Sequence, residues 1–283
     1  MTGTTTVDDR ALKQRHRGMW ASGDYPRVAR ELIEELGRAV VSAAGIRAGQ
    51  HVLDVAAGTG NAALPAARTG ARVVACDLTP ELLAVGRQAA EQEGLAVDWV
   101  EADAEALPFP DGDFDAVVSV VGAMFAPHHQ QTADEILRVC RPGGSIAMIN
   151  WTPEGLIGQL FAVMGRYAPP PPPGAQPPPL WGSPDHVREL FADRVEELTF
   201  TRRTVPYPAF FTRAEQLPAY YKTHYGPTIA VYRALADDPD RTAALDRDFL
   251  DLWVRNDARR TGGTGPAWTA EYLLVTGRRS PRS

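Results

Sequence analysis

Short apolar, β-branched runs alternate with amphipathic stretches through the first half of the chain. The runs are HVLDVAA at 51–57, ARVVACD at 71–77, VDWVEAD at 97–103, FDAVVSV at 114–120 and SIAMINW at 145–151, with helices expected from Asn61, Pro80 and Gln131. Strand and helix in turn at this spacing predict an α/β fold with a doubly wound, mostly parallel sheet. Val73-Val74-Ala75 and Val117-Val118 are apolar on both faces, as strands covered on both sides must be. Ahead of them, YPRVARELIEELGRAVVSAAGI at 25–46 sets Val28, Leu32, Leu36, Ala39 and Val40 on one helical face, so residues 1–50 read as helices packed on that sheet.

Beyond Trp151 the pattern changes. YAPPPPPGAQPPPLW at 167–181 can form neither a helix nor a central strand and reads as a stiff strap, with a docking ligand for a proline-binding module as the alternative. Ser183 and Pro184 open a helix, EELTFTRRTV at 196–205 is a strand, and a helical cap is expected over 207–260. WTAEYLLVTGRR at 268–279 is a last strand without the usual crossover before it, which suggests an antiparallel partner inside the sheet. The organisation is therefore N-terminal helices at 1–50, a core at 51–151, and 152–283 as the rest of the same domain.

The charge balance removes some functions. A net charge of −6 and a pI near 5.6 give no positive field for nucleic acid or an anionic membrane surface, and Arg278, Arg279 and Arg282 read as a solvated tail. Cys76 and Cys140 stand without a CxxC or Cys/His pattern, so neither a zinc site nor a disulfide framework is expected. MTGTTTVDDR has no apolar leader and no run is long enough to span a membrane, so the expected location is the cytoplasm.

The candidate chemistry begins where the first strand dissolves into Ala56-Ala57-Gly58-Thr59-Gly60. Glycines between a strand and a helix expose backbone N–H groups to a ligand, and the run also fits the G-x-G-x-x-A form of a dinucleotide loop. Asp77 ends the second strand, where a carboxylate can accept two hydrogen bonds from a ribose diol of NAD or of any adenosine. Asp54 lies inside the first strand and needs a donor to offset its burial. Asp103 and the Ala104 amide, after the third strand, could meet an adenine amino group.

VLDVAAGTG, ACDLTPELL, VEADAEALPFPDGDFDAVVS and ILRVCRPGGSIAMINW, in that order over residues 51–151, resemble the motifs of class I S-adenosylmethionine-dependent methyltransferases, in their broad small-molecule group. The resemblance implies a Rossmann-like sheet of seven strands with the last inserted antiparallel. It implies that Asp54, Ala56, Gly58, Thr59 and Gly60 line the methionine moiety, that Asp77 holds the ribose with Leu78 against adenine, and that Asp103 and Ala104 touch the adenine edge. Val120 and Val121 would floor the sulfonium. MWASGDY at 19–25 is similar to lid segments, with Trp20 and Tyr25 able to face a sulfonium by cation–π attraction. Ala56 departs from the pattern, standing where many members carry glycine.

The acceptor is expected to be a small molecule, aromatic or lipophilic, under a roof rich in rings: Phe125, Met164, Tyr207, Tyr221 and Tyr225, near Phe210, Phe211 and Tyr220. His128, His129 and His224 are the candidate general bases, because an imidazole can deprotonate a phenol near neutrality. Ser119-Val120-Val121-Gly122 lacks the Asn/Asp-Pro-Pro-aromatic run with which DNA amino-methylating enzymes hold a flipped base. An S-adenosylmethionine-binding protein without methyl transfer and an NAD-dependent oxidoreductase remain as alternatives. The residues do not specify the oligomeric state.

Overall fold

In the computed structural model, which describes residues 5–281, one sheet of seven strands carries the fold. Helices α1 (Thr5–Trp20), α2 (Tyr25–Leu32) and α3 (Glu34–Ala44) precede β1 (His51–Val55). Then α4 (Ala63–Arg68), β2 (Arg72–Asp77), α5 (Pro80–Glu93), β3 (Val97–Glu101), β4 (Phe114–Val120), α6 (His129–Val139) and β5 (Cys140–Trp151) follow. The remainder is α7 (Leu156–Gly165), α8 (Pro184–Phe191), β6 (Val195–Pro206), α9 (Gln216–His224), α10 (Gly226–Ala234), α11 (Pro239–Arg255) and β7 (Thr269–Arg279). Arg282 of the expected basic tail and Met1 to Thr4 of the N-terminal stretch lie outside the described residues.

The sheet order is β3-β2-β1-β4-β5-β7-β6, with β7 antiparallel to both its neighbours and every other pairing parallel. The central strands β1 and β4 are buried almost throughout, as their apolar runs require. The amphipathic stretch at 25–46 forms two helices, not one: Ile33 leaves the helical region at φ −135° and separates α2 from α3. Val28, Leu32, Leu36 and Val40 still share the buried side, while Ala39 is half-buried. Helix α6 begins at His129, two residues ahead of the expected start.

The proline stretch has no regular element from 169 to 177 and runs across the start of α6, where the Gln176 N–H donates to the Pro127 carbonyl at 2.9 Å. Helices α9 to α11 form the cap. Tyr167 donates to Asp248 of α11 at 2.7 Å, and the Trp268 indole N–H donates to the Trp253 carbonyl at 2.8 Å, tying the cap to α7 and to β7. Among the described residues no helix is long and apolar enough to cross a membrane.

Helix α3 presses on the chain between β1 and α4. A Cβ on Gly37 would lie 1.6 Å from the Asn61 carbonyl oxygen, so only hydrogen fits there. Gly37→Ala should therefore lose at least about 2 kcal/mol in urea denaturation through overpacking against backbone, despite the better helix propensity of alanine. Gly18→Ala, in α1 with open space around it, should instead be neutral or stabilising by up to about 1 kcal/mol.

Candidate active site

The strand order reverses between β1 and β4, so the loops leaving their carboxyl ends part and open a crevice, the usual ligand site of doubly wound sheets. A cavity of about 800 Å³ lies there. Its wall is built from the loop after β1, the ends of β2 and β4, and the turn after β3, and α1 and α2 close it with Lys13, His16, Trp20 and Tyr25.

The loop after β1 is bent sharply. Ala56 and Gly58 both sit at φ 54°, the left-handed region, which costs a residue with a Cβ about 1–2 kcal/mol. Alanine thus adopts the conformation of the glycine it replaces. Val121, at the end of β4, is also left-handed at φ 42°, so two strained non-glycine residues line the cavity side by side, Gly122 packing directly on the Ala56 carbonyl. Gly58 leaves room for the Tyr25 ring, which lies 3.6 Å from where its Cβ would be.

Asp77 accepts from the Gly58 N–H through one carboxylate oxygen and from the Thr79 N–H through the other, each at 2.8 Å. Burial raises its pKa, opposed by those same bonds. Each oxygen keeps acceptor capacity, and the residue lines the cavity. Trp20, Ala56, Thr59, Leu78, Asp103, Ala104, Val120 and Val121 line it as well.

Two expected contacts fall elsewhere. Asp54 is behind the loop, where its carboxylate accepts from the Ala63 N–H at 2.8 Å and so satisfies the start of α4. Gly60 faces away too: a Cβ there would strike the Trp99 ring at 2.7 Å, so that glycine serves packing.

A second cavity of about 480 Å³ adjoins the first and shares Tyr25, Ile33, Val121 and Phe125 with it. Tyr207, Tyr221 and Tyr225 line it, with Trp151, Ile157 and other apolar residues. Met164 does not reach either cavity; it is buried within α7. Phe210 is half exposed. Trp20 packs edge-on against Phe125, Tyr25 and Tyr225, with ring centroids 4.8, 5.2 and 5.9 Å away, so the partition is a box of rings.

The sequence model of the methyltransferase-domain family matches residues 53–148. An uncharacterised protein of Mycobacterium tuberculosis is 48% identical over 88% of this chain and 90% of its own length. Demethylmenaquinone methyltransferase of Thermus thermophilus is 40% identical over 48% of this chain and 64% of that protein. The chain carries a methyltransferase domain, folded as in the class I S-adenosylmethionine-dependent methyltransferases. A geranyl diphosphate methyltransferase solved with S-adenosylmethionine shares the fold at TM-score 0.53 and 16% identity, covering 87% of this chain and 85% of that one. The inserted antiparallel β7 accords with this family, whereas the oxidoreductase alternative does not predict it.

None of the three candidate histidines of this methyltransferase lines either cavity. His129 is fully buried, its Nδ1 is 2.9 Å from His186 Nε2, and burial with the neighbouring His186 pulls its pKa down to about 3. His128 uses its backbone N–H and Nδ1 on the Glu105 carboxylate, at 2.6 and 3.0 Å. His224 stacks on Tyr220 and lends its carbonyl to the Asp24 N–H at 3.0 Å. All three hold the roof. The imidazole that does line the larger cavity is His16, half-buried on α1 with its pKa lowered by burial and by Lys13. Lys13, His16 and Trp20 share one face of α1 at a spacing of three and four, a signal present in the sequence, although only Trp20 was expected at the site. Asn61 and Leu82 also line it, from motifs in which other residues were expected to make the contacts, and Ile33 does so from a stretch read as packing.

Asp54 generates a pH effect. Burial pushes its pKa up from 3.8 to about 7, with the nearby Asp77 charge adding to the rise and the Ala63 and Ala62 amides opposing it. Because the folded value is the higher one, ionised Asp54 opposes folding above about pH 7, and that opposition fades as pH falls through 7 towards the unfolded value. Asp54→Asn keeps an oxygen for the Ala63 amide. Its stability relative to wild type should be most favourable near about pH 8 and decline towards about pH 5 in urea denaturation; a constant difference would refute the assignment.

Proposed function

We propose that this methyltransferase holds S-adenosylmethionine in the larger cavity and transfers its methyl group to a small aromatic or lipophilic acceptor in the smaller one. The observation that carries this reading is the shared partition of Tyr25, Ile33, Val121 and Phe125 between a partly polar cavity and an apolar, ring-lined one. An acceptor seated in the second cavity would meet the methyl group at that partition.

The residues of the larger cavity fit the cofactor. The open acceptor capacity of Asp77 suits the two ribose hydroxyls, and Leu78 and Ala104 offer apolar contact to adenine, beside Asp103. The bare backbone at Gly58 and the turn at Ala56 admit the methionine portion close to the main chain. Val120 and Val121 would lie beneath the sulfur, with the rings of Trp20 and Tyr25 facing its positive charge. When bound, S-adenosylmethionine supplies an activated methyl group on a positively charged sulfur for in-line displacement. The chain's part is then to align the acceptor and to exclude water, and the box of rings around Trp20 suits both tasks. The apolar, ring-lined wall of the second cavity accords with an aromatic or lipophilic acceptor, as does demethylmenaquinone, for which the Thermus relative is named.

Two measurements test this reading. Asp77→Asn should weaken S-adenosylmethionine and S-adenosylhomocysteine binding about 10- to 100-fold in calorimetric titration, by loss of charge-assisted hydrogen bonds. Ile157 lines the second cavity alone, so Ile157→Trp should fill it. S-adenosylhomocysteine affinity should stay unchanged while methyl transfer to a panel of small aromatic and lipophilic acceptors is lost. Retained transfer would place the acceptor elsewhere.

A further inference from the structure

The second cavity contains a polar feature that an apolar binding site does not need. The hydroxyls of Tyr207 and Tyr221 lie 2.6 Å apart, both rings are buried, and each hydroxyl has the other as its one hydrogen-bond partner among the described residues. Two hydroxyls bring two protons, and a single bond between them uses one. One buried O–H at the cavity wall is therefore left with no protein acceptor, an arrangement that structures avoid unless something else supplies it. Tyr25 and Tyr225 line the same cavity and add two more hydroxyls that have no hydrogen-bond partner among the described residues.

The wall is equally defined by what it lacks. No imidazole, carboxylate, ammonium or guanidinium is among the residues lining the second cavity. The titratable groups that act on Tyr207 and Tyr221 are themselves phenols, Tyr25, Tyr220 and Tyr225. Burial raises the pKa of each of these hydroxyls, so at ordinary pH they donate hydrogen bonds and do not take protons. His16 is grouped with Lys13, Asp103 and Glu105 beyond β3, not with this wall. An acceptor that must lose a proton to the enzyme has no group here to receive it, and one carrying a carboxylate or phosphate finds no cation.

We propose that the second cavity selects a planar acceptor bearing a hydrogen-bond-accepting oxygen, either a ring carbonyl or an already ionised hydroxyl, that the spare O–H of the Tyr207–Tyr221 pair holds this oxygen, and that no side chain takes a proton from the acceptor. This rests on the reading of that cavity as the acceptor site. In the transfer, an electron pair of the acceptor forms the new bond to the methyl carbon as the carbon–sulfur bond breaks and its pair stays on sulfur. An ionised hydroxyl has given its proton to water before binding; a ring carbon gives its proton to water afterwards.

The test uses the full chain saturated with S-adenosylhomocysteine and two probes of similar shape, coumarin, which offers acceptor oxygens only, and naphthalene, which offers none. Binding is followed by quenching of tryptophan fluorescence, Trp151 being in the wall. Wild type should prefer coumarin by about tenfold or more. Tyr207→Phe and Tyr221→Phe should each keep part of that preference, because either leaves one O–H free, and the double variant should fall at least about threefold below either single variant, keeping only what the Tyr25 and Tyr225 hydroxyls supply, with naphthalene affinity unchanged. A double variant that prefers coumarin as wild type does would overturn the anchor. Equal binding of the two probes by wild type would overturn the anchor and leave the acceptor site standing. Binding of neither probe, with S-adenosylhomocysteine still bound, would overturn the acceptor site itself. With 7-hydroxycoumarins of graded acidity as acceptors, the inflection of the pH–rate profile should follow each acceptor's own ionisation. An inflection fixed across the series would reveal a base in the protein and overturn the proton-free step.

Discussion

Two buried carboxylates hold the loop on which the site depends. Asp54 reaches forward from β1 to the Ala63 N–H and fixes the far end of the loop, and Asp77 reaches across from β2 to the Gly58 N–H and fixes its middle. Carboxylates this deeply buried are costly unless backbone donors surround them, and the loop supplies those donors. The dependence runs both ways: the carboxylates fix two points of the bend, and the bend supplies a backbone donor to each, with the Thr79 N–H as a further donor to Asp77. Their mutual repulsion is an additional cost, adding to the burial that chiefly raises the pKa of Asp54. A ligand that brings positive charge to this crevice relieves it.

The same loop is held from behind by close packing. Helix α3 passes it at Gly37, and the Trp99 ring lies over Gly60 and Gly86. Such contacts leave no slack for the backbone to relax, so the left-handed conformations of Ala56 and Val121 persist although neither residue favours them. Strain is gathered at the ligand crevice and borne by the packing of α3, β3 and α5 around it.

These constraints explain which parts were legible in the sequence. The central strands and the order of motifs were readable because burial on both faces writes continuous apolar runs, whereas the edge strands β3 and β6 are largely exposed or half-buried, and the last strand announced itself by lacking a crossover. The place of Asp77 at the cavity was readable because the apolar run of β2 ends there, but its bonds to the Gly58 and Thr79 amides were not. Asp54 and Gly60 were harder: both belong to the motif, but one caps α4 and the other makes room for Trp99, and a motif does not say which of its residues face outwards. The three histidines looked reactive because their positions in sequence follow β4 or fall in the cap. Their hydrogen-bond partners, Glu105, His186 and the Asp24 amide, come from 23 to 200 residues away, beyond any local pattern.

The roof over the crevice is coupled through one of those partners. Glu105, buried after β3, accepts from Lys13 of α1 and from both the backbone N–H and Nδ1 of His128, ahead of α6. Lys13 also bonds Asp103 at 3.0 Å, and Arg17, one turn on, pairs with Glu101 at 2.9 Å. The proline strap joins this assembly at Pro127 and at His129, whose N–H donates to Gln176 at 3.3 Å. Helix α1, the turn after β3 and the loop after β4 are thus tied at a single carboxylate, so displacing α1 to admit a ligand must break its Lys13 contacts. A roof held by charge at this end and by aromatic packing around Trp20 at the other has two kinds of grip. The charged end lies over the larger cavity, while the aromatic end forms the partition, where a polar hold would have to be stripped of water each time an apolar acceptor entered.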